Sequence, residues 1–344
     1  MPTIINTEEF LGRAKSLPII DVRSPGEYDK AHIPGAFNLP LFNDEERAVV
    51  GTYYKQRGRV PAVQKGLEFV GPKLKEFTKF VLKLDSPEVL VHCWRGGMRS
   101  SAMTWLLETV DIKCTLLRGG YKAYRNFVLD SFVKDYRFIL LGGCTGSGKT
   151  ELIDLLIKAG EQAIDLEGLA NHKGSAFGAI GQEPQPSSEY FENKLSEELL
   201  KLDPTKPIWL EDESRNIGKV NIPQAFWDNM RTSPLVVVDI PHEVRLERLL
   251  RDYAVFPAEK LAESIKKIEK RLGYDKCKFA LDACLAGDTR TAASICLEYY
   301  DKAYNNQLET RYGERLKSMP RISSSTLDNS ITLEDLIHYG REKY

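Results

Sequence analysis

The sequence lacks the features that mark secreted, membrane and metal-binding proteins. Its six cysteines form no C-x-x-C pair and no cluster with histidine at zinc-site spacing, so neither a disulfide framework nor a structural metal is predicted. The first ten residues show no basic region followed by an apolar one, and no apolar run approaches the length of a membrane span. We therefore expect a cytoplasmic protein that contacts no membrane and holds no intrinsic metal.

The sequence also has little net charge, at −1. A near-neutral chain has no overall basic field for nucleic acid, and DNA is not an expected partner. The charge is unevenly divided, because residues 1–132 carry +4 and the remainder −5. Between residues 47 and 83, nine lysines and arginines meet only two acidic residues, Glu68 and Glu76. Such a stripe can follow a phosphate backbone, although a solvated helix face is the commoner explanation.

The length of 344 residues and the hydrophobic content of 42% fit two soluble domains. Apolar strands alternate with helical patterns, which indicates α/β domains built on parallel sheets. A first such domain is expected over residues 1–132, with strands at 18–23, 89–91 and 114–117 and a last helix containing 121–128. A P-loop domain is expected over residues 133–344, with strands at 138–141, 207–210 and 235–240. From residue 243 onward the pattern is helical, with exposed i,i+4 pairs such as Glu247/Arg251, and it indicates no chemistry.

The most informative segment is the loop that follows the predicted strand at residues 89–91. Cys93 ends this strand, and the loop after it holds two glycines and two arginines before a helix predicted over residues 100–107. The loop amides and the helix N-terminus should face the sulfur and, with the guanidinium groups nearby, lower the pKa of the thiol. We predict a reactive thiolate in an anion-binding loop. The residues of that loop are Trp94, Arg95, Gly96, Gly97, Met98 and Arg99.

A second loop, at residues 143–150, matches the phosphate-binding pattern G-x-x-x-x-G-K-[ST] at every fixed position. Backbone amides of such a loop close around phosphate oxygens, its lysine adds positive charge, and its hydroxyl is placed to ligate magnesium. The predicted phosphate-binding residues are Gly143, Cys144, Thr145, Gly146, Ser147, Gly148, Lys149 and Thr150. Support for magnesium or phosphate is expected from Asp212, Glu213, His172 and Ser175. Of the acidic run at residues 211–213, only one member is expected to be used.

The N-terminal motifs resemble those of rhodanese domains, whose cysteines carry sulfur or selenium as a persulfide or selenopersulfide. The motifs are Asp-Val-Arg-Ser-Pro-Gly-Glu-Tyr at 21–28, His-Ile-Pro-Gly-Ala at 32–36, the Cys93 loop, and Arg-Gly-Gly-Tyr at 118–121. Together with the P-loop and further motifs at 50–56, 172–178 and 211–218, the chain resembles the bacterial tRNA 2-selenouridine synthases. Lys173 stands where that family is expected to have arginine, so the charge is kept but bidentate geometry is lost.

The resemblance implies a reaction and its substrates. Members of the family convert 2-thiouridine at the wobble position of certain tRNAs into 2-selenouridine. The sulfur is first alkylated by geranyl diphosphate, and the S-geranyl group is then displaced by selenium from selenophosphate. By this resemblance the chain is a transferase that binds the tRNA anticodon arm, uses Cys93 for selenium, and needs no tightly bound cofactor. We assign the P-loop to geranyl diphosphate, with magnesium as its expected ion and a selenophosphate-supplying enzyme as a candidate partner.

Three alternative functions stay open from the motifs. Residues 92–100 also match the H-C-x5-R-[ST] loop of cysteine phosphatases, although the surrounding motifs favour rhodanese. An ATP-dependent tRNA sulfurtransferase, or a sulfur carrier or phosphatase fused to a kinase-like domain, would bind ATP at the second loop. A regulatory phosphate-binding module with an inert rhodanese fold is disfavoured, because Cys93, Lys149 and Thr150 are all intact.

Overall fold

The computed structural model describes residues 2–326 and 328–344 and divides into two compact units. The N-terminal unit comprises Met1–Phe132 and Glu192–Glu197, and the C-terminal unit comprises Val133–Phe191 and Glu198–Tyr344. Each unit is built on a five-stranded parallel sheet with helices around it, which confirms the predicted fold class.

The sheet of the N-terminal unit has the strand order β1-β5-β4-β2-β3. Its strands are β1 (Thr3–Ile5), β2 (Ile19–Asp21), β3 (Phe37–Asn38), β4 (Glu88–His92) and β5 (Lys113–Leu117). Its helices are α1 (Thr7–Ala14), α2 (Pro25–Lys30), α3 (Asp44–Arg57), α4 (Arg59–Val70), α5 (Leu74–Leu82), α6 (Met98–Glu108) and α7 (Gly120–Ser131), with a short 3-10 helix at Gly71–Lys73. Strand β4 is central, and Val89, Leu90 and Val91 are fully buried. This burial anchors β4 in the core and so fixes the position of Cys93, the residue that follows the strand.

The C-terminal unit has the strand order β12-β11-β6-β8-β7 in its main sheet and a separate β9–β10 ribbon. Its strands are β6 (Phe138–Gly142), β7 (Ala163–Ile164), β8 (Ile208–Glu211), β9 (Asn216–Ile217), β10 (Val220–Asn221), β11 (Leu235–Asp239) and β12 (Arg321–Ser323). The helices that follow in the chain are α8 (Lys149–Lys158), α9 (Leu166–Ala170), α10 (Ser188–Leu199), α11 (Gln224–Thr232), α12 (His242–Tyr253), α13 (Ala258–Lys267), α14 (Glu269–Leu272), α15 (Tyr274–Leu285), α16 (Thr289–Tyr312) and α17 (Ser330–Lys343), with a 3-10 helix at Gly313–Ser318.

The strong apolar strands predicted in this unit are present, and they place the P-loop at the carboxyl end of β6, between β11 and β8. Helices α13, α15 and α16 pack around an apolar cluster of their own, which includes Leu261, Ile265, Cys284 and Cys296. Among the residues that the structure describes, no helix is both long and apolar enough to cross a membrane.

The region after residue 243 corrects the sequence analysis in two ways. It is not helical throughout, because β12 pairs with β11 and forms one edge of the sheet. Three residues are too few to produce a periodic signal, which explains why the strand was not predicted. The pair Glu247/Arg251 was also wrong, since Glu247 accepts from Arg290 while Arg251 bonds Glu151 and Asp252. Arg290 of α16 and Glu151 of α8, together with the adjacent Asp252, take the place of the partner one turn away on α12.

Candidate functional site

The Cys93 sulfur lies at the carboxyl end of β4, where the first turn of α6 faces it. The amide of Gly97 donates to Sγ at 3.3 Å, and the hydroxyl oxygen of Ser100 lies 3.2 Å from Sγ. Both groups belong to the N-terminal end of α6, so the helix dipole and its free amides converge on the sulfur. This arrangement was predicted from the strand-loop-helix pattern.

Hydrogen bonds make this thiol more acidic than an ordinary cysteine. Burial alone would raise the pKa of Cys93, but bonds from the Ser100 hydroxyl and from the Gly97, Ser100 and Arg95 amides outweigh it and lower the pKa. The guanidinium of Arg99 does not lie against the sulfur as an unpaired charge. It forms an ion pair with Glu27, Nη1 to Oε2 at 2.6 Å. Hydrogen bonds from Ser100 and from backbone amides, and not the two guanidinium groups, are the main causes of the acidity.

The acidity of Cys93 predicts selective alkylation. Burial raises the pKa of the other five thiols, to about 12 for Cys114 and Cys296 and to about 11 for Cys144, and upward also for Cys277 and Cys284. Iodoacetamide at pH 7 should therefore modify Cys93 first, because only the thiolate reacts. Peptide mass spectrometry at short reaction times would show a single adduct.

The matched variant for this test is Ser100→Ala. It removes the hydrogen bond that most favours the thiolate, so the pKa should rise and the alkylation rate at pH 7 should fall about tenfold. The variant should regain rate as the pH is raised. Faster labelling of Cys144, a more exposed thiol, would show that access and not thiolate character controls the reaction, and would contradict the prediction.

The Asp-Val-Arg motif at residues 21–23 packs next to the Cys93 loop and helps to hold it in place. Arg23 is fully buried, and its Nη2 donates to Asp21 Oδ2 at 2.6 Å and to the carbonyl of Ala31 at 2.8 Å. Its guanidinium carbon lies 3.7 Å from the centre of the Tyr121 ring. Burial alone would raise the pKa of Asp21, but His92 and Arg23 outweigh burial and lower it. The motif therefore ties β2, the following turn and α7 together next to the Cys93 loop.

The Arg-Gly-Gly-Tyr motif holds the same loop from the other side. Gly120 has φ +60°, and a side-chain carbon added there would lie 2.4 Å from the Cys93 carbonyl and 2.5 Å from the Gly96 nitrogen. Only glycine fits so close an approach. The amide of Tyr121 then donates to the Cys93 carbonyl at 2.8 Å. The motif fixes the backbone of Cys93 and contributes no reactive group.

The P-loop joins β6 to α8, as predicted, and its lysine and hydroxyl both point inward. Lys149 Nζ donates to the Gly143 carbonyl at 2.9 Å, and Thr150 Oγ1 donates to Glu167 Oε2 at 2.9 Å. Gly148 has φ +81°, and a side-chain carbon there would lie 2.0 Å from Arg248 Nη1. The loop therefore requires glycine at this position both for its backbone angle and for the close approach of the arginine.

Two carboxyl groups face each other beside Thr150. Burial raises the pKa of Glu213 to about 8, and the neighbouring Glu167 adds to the effect, while burial also raises the pKa of Glu167. With the Thr150 hydroxyl they supply oxygen donors from three side chains, the donor type that magnesium prefers, and a divalent cation would relieve the repulsion between the two carboxylates. In residues 2–326 and 328–344, no group of three or more histidine, cysteine or acidic residues forms a metal site. The cluster thus fits a magnesium ion that takes some of its ligands from these side chains and the others from a bound phosphate.

The remaining acidic residues of the run have other partners. Glu211 is fully buried and accepts a hydrogen bond from the Leu166 amide at 3.0 Å. Asp212 forms a buried ion pair with Arg311. Glu213 alone joins the Thr150 cluster.

The residues of the 172–178 motif do not all face the same way. Ser175 lines the cavity that opens on the P-loop, as does Lys173, whose Nζ lies 5.8 Å from the centre of the Tyr253 ring. The ring of His172 instead packs so closely that a side-chain carbon on Gly178 would lie 2.8 Å from it. Burial lowers the pKa of His172, so the ring is neutral near pH 7. This histidine packs the motif rather than facing the cavity.

The cavity beside the P-loop has a volume of about 820 Å³. Three of its charged or polar wall residues were missed by the sequence analysis: Glu167, Arg248 and Tyr304. Arg248 donates to the Gly146 carbonyl at 3.3 Å, and the Tyr304 hydroxyl accepts from the Gly143 amide at 2.8 Å. Glu167 lies on the short helix α9, while Arg248 and Tyr304 lie on helices far from the loop in sequence. No local pattern distinguishes them from surface or core positions.

Comparisons with known proteins agree across both units. The sequence model of the tRNA 2-selenouridine synthase AAA domain matches residues 136–321, and that of the rhodanese-like domain matches residues 6–127. A protein of Sulfurovum sp. (strain NBC37-1) named tRNA 2-selenouridine synthase is 38% identical and is aligned over 85% of this chain and 89% of its own length.

One solved structure also matches part of the chain. The N-terminal domain of a Clostridium difficile 630 protein described as ATP/GTP-binding is 42% identical, with 37% of this chain and 99% of that one covered and a TM-score of 0.35. The family assignment rests on the sequence matches, which extend over both the Cys93 loop and the P-loop. The chain belongs to the tRNA 2-selenouridine synthase family.

Proposed function

We propose that this chain converts 2-thiouridine in tRNA into 2-selenouridine by geranylation followed by selenium exchange. The observation that carries the proposal is the cavity at the P-loop, which combines a phosphate-binding end with an apolar wall. The name of the Sulfurovum relative supports the formation of 2-selenouridine in tRNA. We place the activity in the cytoplasm, on the anticodon arm of tRNA, with selenophosphate supplied by a separate enzyme.

The first step belongs to the P-loop. The diphosphate of geranyl diphosphate is held by the loop amides and Lys149, with the pyrophosphate at the N-terminus of α8. The thiocarbonyl sulfur of the tRNA base forms a bond to C1 of the geranyl group. The C1–O bond breaks and its electron pair leaves with the diphosphate, while the N3 proton of the base passes to solvent. Lys149 stabilises the charge that develops on the leaving group.

Magnesium fits the acidic cluster at this site. Thr150, Glu167 and Glu213 would hold it, and when bound it supplies positive charge against the departing diphosphate. Below about pH 8, the proton on the Glu167–Glu213 pair competes with a cation, so cation affinity should increase as the pH rises.

The second step belongs to Cys93. Alkylation has made the sulfur of the base a better leaving group, so the Cys93 thiolate attacks C2 and geranylthiol leaves with the C–S electron pair and one proton. Selenium of selenophosphate then forms a bond to C2 and expels the thiolate. Water cleaves the Se–P bond to give phosphate. We expect the amides at the start of α6 and the Arg95 guanidinium to hold the selenophosphate anion beside C2, with Arg99 joining them by exchanging its Glu27 partner for the anion.

ATP dependence separates this proposal from a sulfurtransferase or a kinase-like reaction. We expect purified protein to geranylate and then selenate a 2-thiouridine stem-loop with no nucleotide present. ATP hydrolysis that appears only with tRNA, together with no turnover when ATP is omitted, would overturn the assignment of the P-loop. Turnover of a simple phosphate ester at Cys93 would instead favour the phosphatase alternative.

A further inference from the structure

The cavity beside the P-loop has a second, apolar end. Helix α16 runs along one side and presents one face, which includes Ala292, Cys296, Tyr300 and Tyr304 at four-residue spacing. Tyr304 marks the polar end, because its hydroxyl bonds the P-loop amide of Gly143 at 2.8 Å. Cys296 and Ala292 lie two and three turns away, about 12 Å and about 18 Å along the helix axis.

The walls at the far end are mainly apolar, although Thr289, one turn before Ala292 on α16, also lines the cavity. Leu261 and Ile265 of α13 and Cys284 of α15 lie in the cavity wall with Ala292 and Cys296. Burial raises the pKa of Cys296 to about 12, so the thiol stays neutral and behaves as a small apolar group. A nucleotide base placed here would lose hydrogen bonds to water without replacing them, which disfavours it.

The cavity as a whole, its P-loop end included, has the size of a ligand site. A volume of about 820 Å³ lies in the range of small-molecule sites. Because the phosphate-binding loop closes one end, the occupant should carry phosphate at one terminus and hydrocarbon at the other.

We propose that the apolar end, formed by Leu261, Ile265, Cys284, Ala292 and Cys296, binds the prenyl chain of the diphosphate donor, and that the small side chains of Ala292 and Cys296 set the accepted chain length. The inference rests on the proposed function, because it assigns a position to the hydrocarbon part of that substrate. It adds a binding site on α13, α15 and α16, helices in which the sequence indicated no chemistry.

The test compares donors of different length on a 2-thiouridine anticodon stem-loop. Dimethylallyl, geranyl and farnesyl diphosphates compete in one reaction with wild-type protein and with Ala292→Leu and Cys296→Leu. Because these two substitutions fill the apolar end of the cavity, they should lower geranyl transfer at least tenfold relative to dimethylallyl transfer. Affinity for inorganic pyrophosphate should stay unchanged, because the P-loop is untouched. Lys302→Leu adds the same side chain at an exposed position of α16 and should behave as wild type.

If Ala292→Leu or Cys296→Leu folds poorly, a variant that enlarges the cavity still tests the proposal. Leu261→Ala should raise farnesyl transfer relative to geranyl transfer, since it lengthens or widens the same end. If the filling and widening variants transfer geranyl normally and keep the donor preference of the wild type, the assignment of the prenyl site is wrong. The proposed function is unaffected by that result. No transfer from any prenyl diphosphate by wild-type protein that binds the stem-loop would overturn the proposed function itself.

Discussion

Replacing Cys93 by serine is expected to abolish selenium incorporation and to leave geranylation close to the wild-type rate. A serine hydroxyl in the same loop is not ionised near neutral pH, so the nucleophile that expels geranylthiol is lost. We expect selenation to fall at least a thousandfold, the scale seen when a covalent nucleophile is removed. The measurement is nucleoside mass spectrometry of a 2-thiouridine stem-loop after each step, with the S-geranyl nucleoside accumulating in the variant.

The matched control is Cys114→Ser in the same unit. Cys114 is a buried thiol on β5, the strand next to β4, and burial with nearby acidic groups raises its pKa to about 12. It is therefore not a nucleophile, and its replacement should leave selenation within a few-fold of wild type. Loss of both reactions in folded Cys93→Ser protein, or selenation at the wild-type rate, would contradict the division of chemistry between the two loops.

Replacing Lys149 by alanine is expected to give the reverse pattern. Without the ammonium group the charge of the departing diphosphate is poorly neutralised, and geranylation should fall about a hundred- to a thousandfold. No 2-selenouridine would then form from 2-thiouridine. A stem-loop that already carries the S-geranyl group should still be selenated at nearly the wild-type rate, because that step uses the Cys93 loop.

Lys158→Ala is the control for this variant, since Lys158 lies at the other end of α8 and pairs with Asp154 on the surface. It should leave both steps unchanged. If Lys149→Ala also failed on the pre-geranylated stem-loop while folded, the P-loop would serve the selenium step as well, and the proposed sequence of reactions would be wrong.

Local sequence patterns predicted the backbone of both loops because each loop is fixed by residues close to it. A buried strand, glycines and a helix start follow one another within a few residues at Cys93 and again at residues 143–150. The pairing of Arg99 with Glu27 could not be predicted in this way, since the two residues are far apart in the chain and meet only when α2 and α6 fold onto the sheet.

The P-loop cavity was harder to predict for the same reason. Arg248 and Tyr304 lie on helices whose sequences are ordinary, and only tertiary packing brings them to the loop. The apolar positions of α13, α15 and α16 have the spacing of any core helix, so periodicity cannot distinguish a filled core from a cavity wall. His172 was singled out because it lies within a motif, and the structure shows its ring packed closely against Gly178; its place in the site stays a prediction.

The most direct measurement is a staged reaction of the purified protein. The protein is incubated with a 2-thiouridine anticodon stem-loop, geranyl diphosphate and magnesium, selenophosphate is then added, and nucleoside mass is followed at each stage. The account predicts the S-geranyl nucleoside first and 2-selenouridine second. Unchanged 2-thiouridine, with protein that is folded and bound to the RNA, would contradict it.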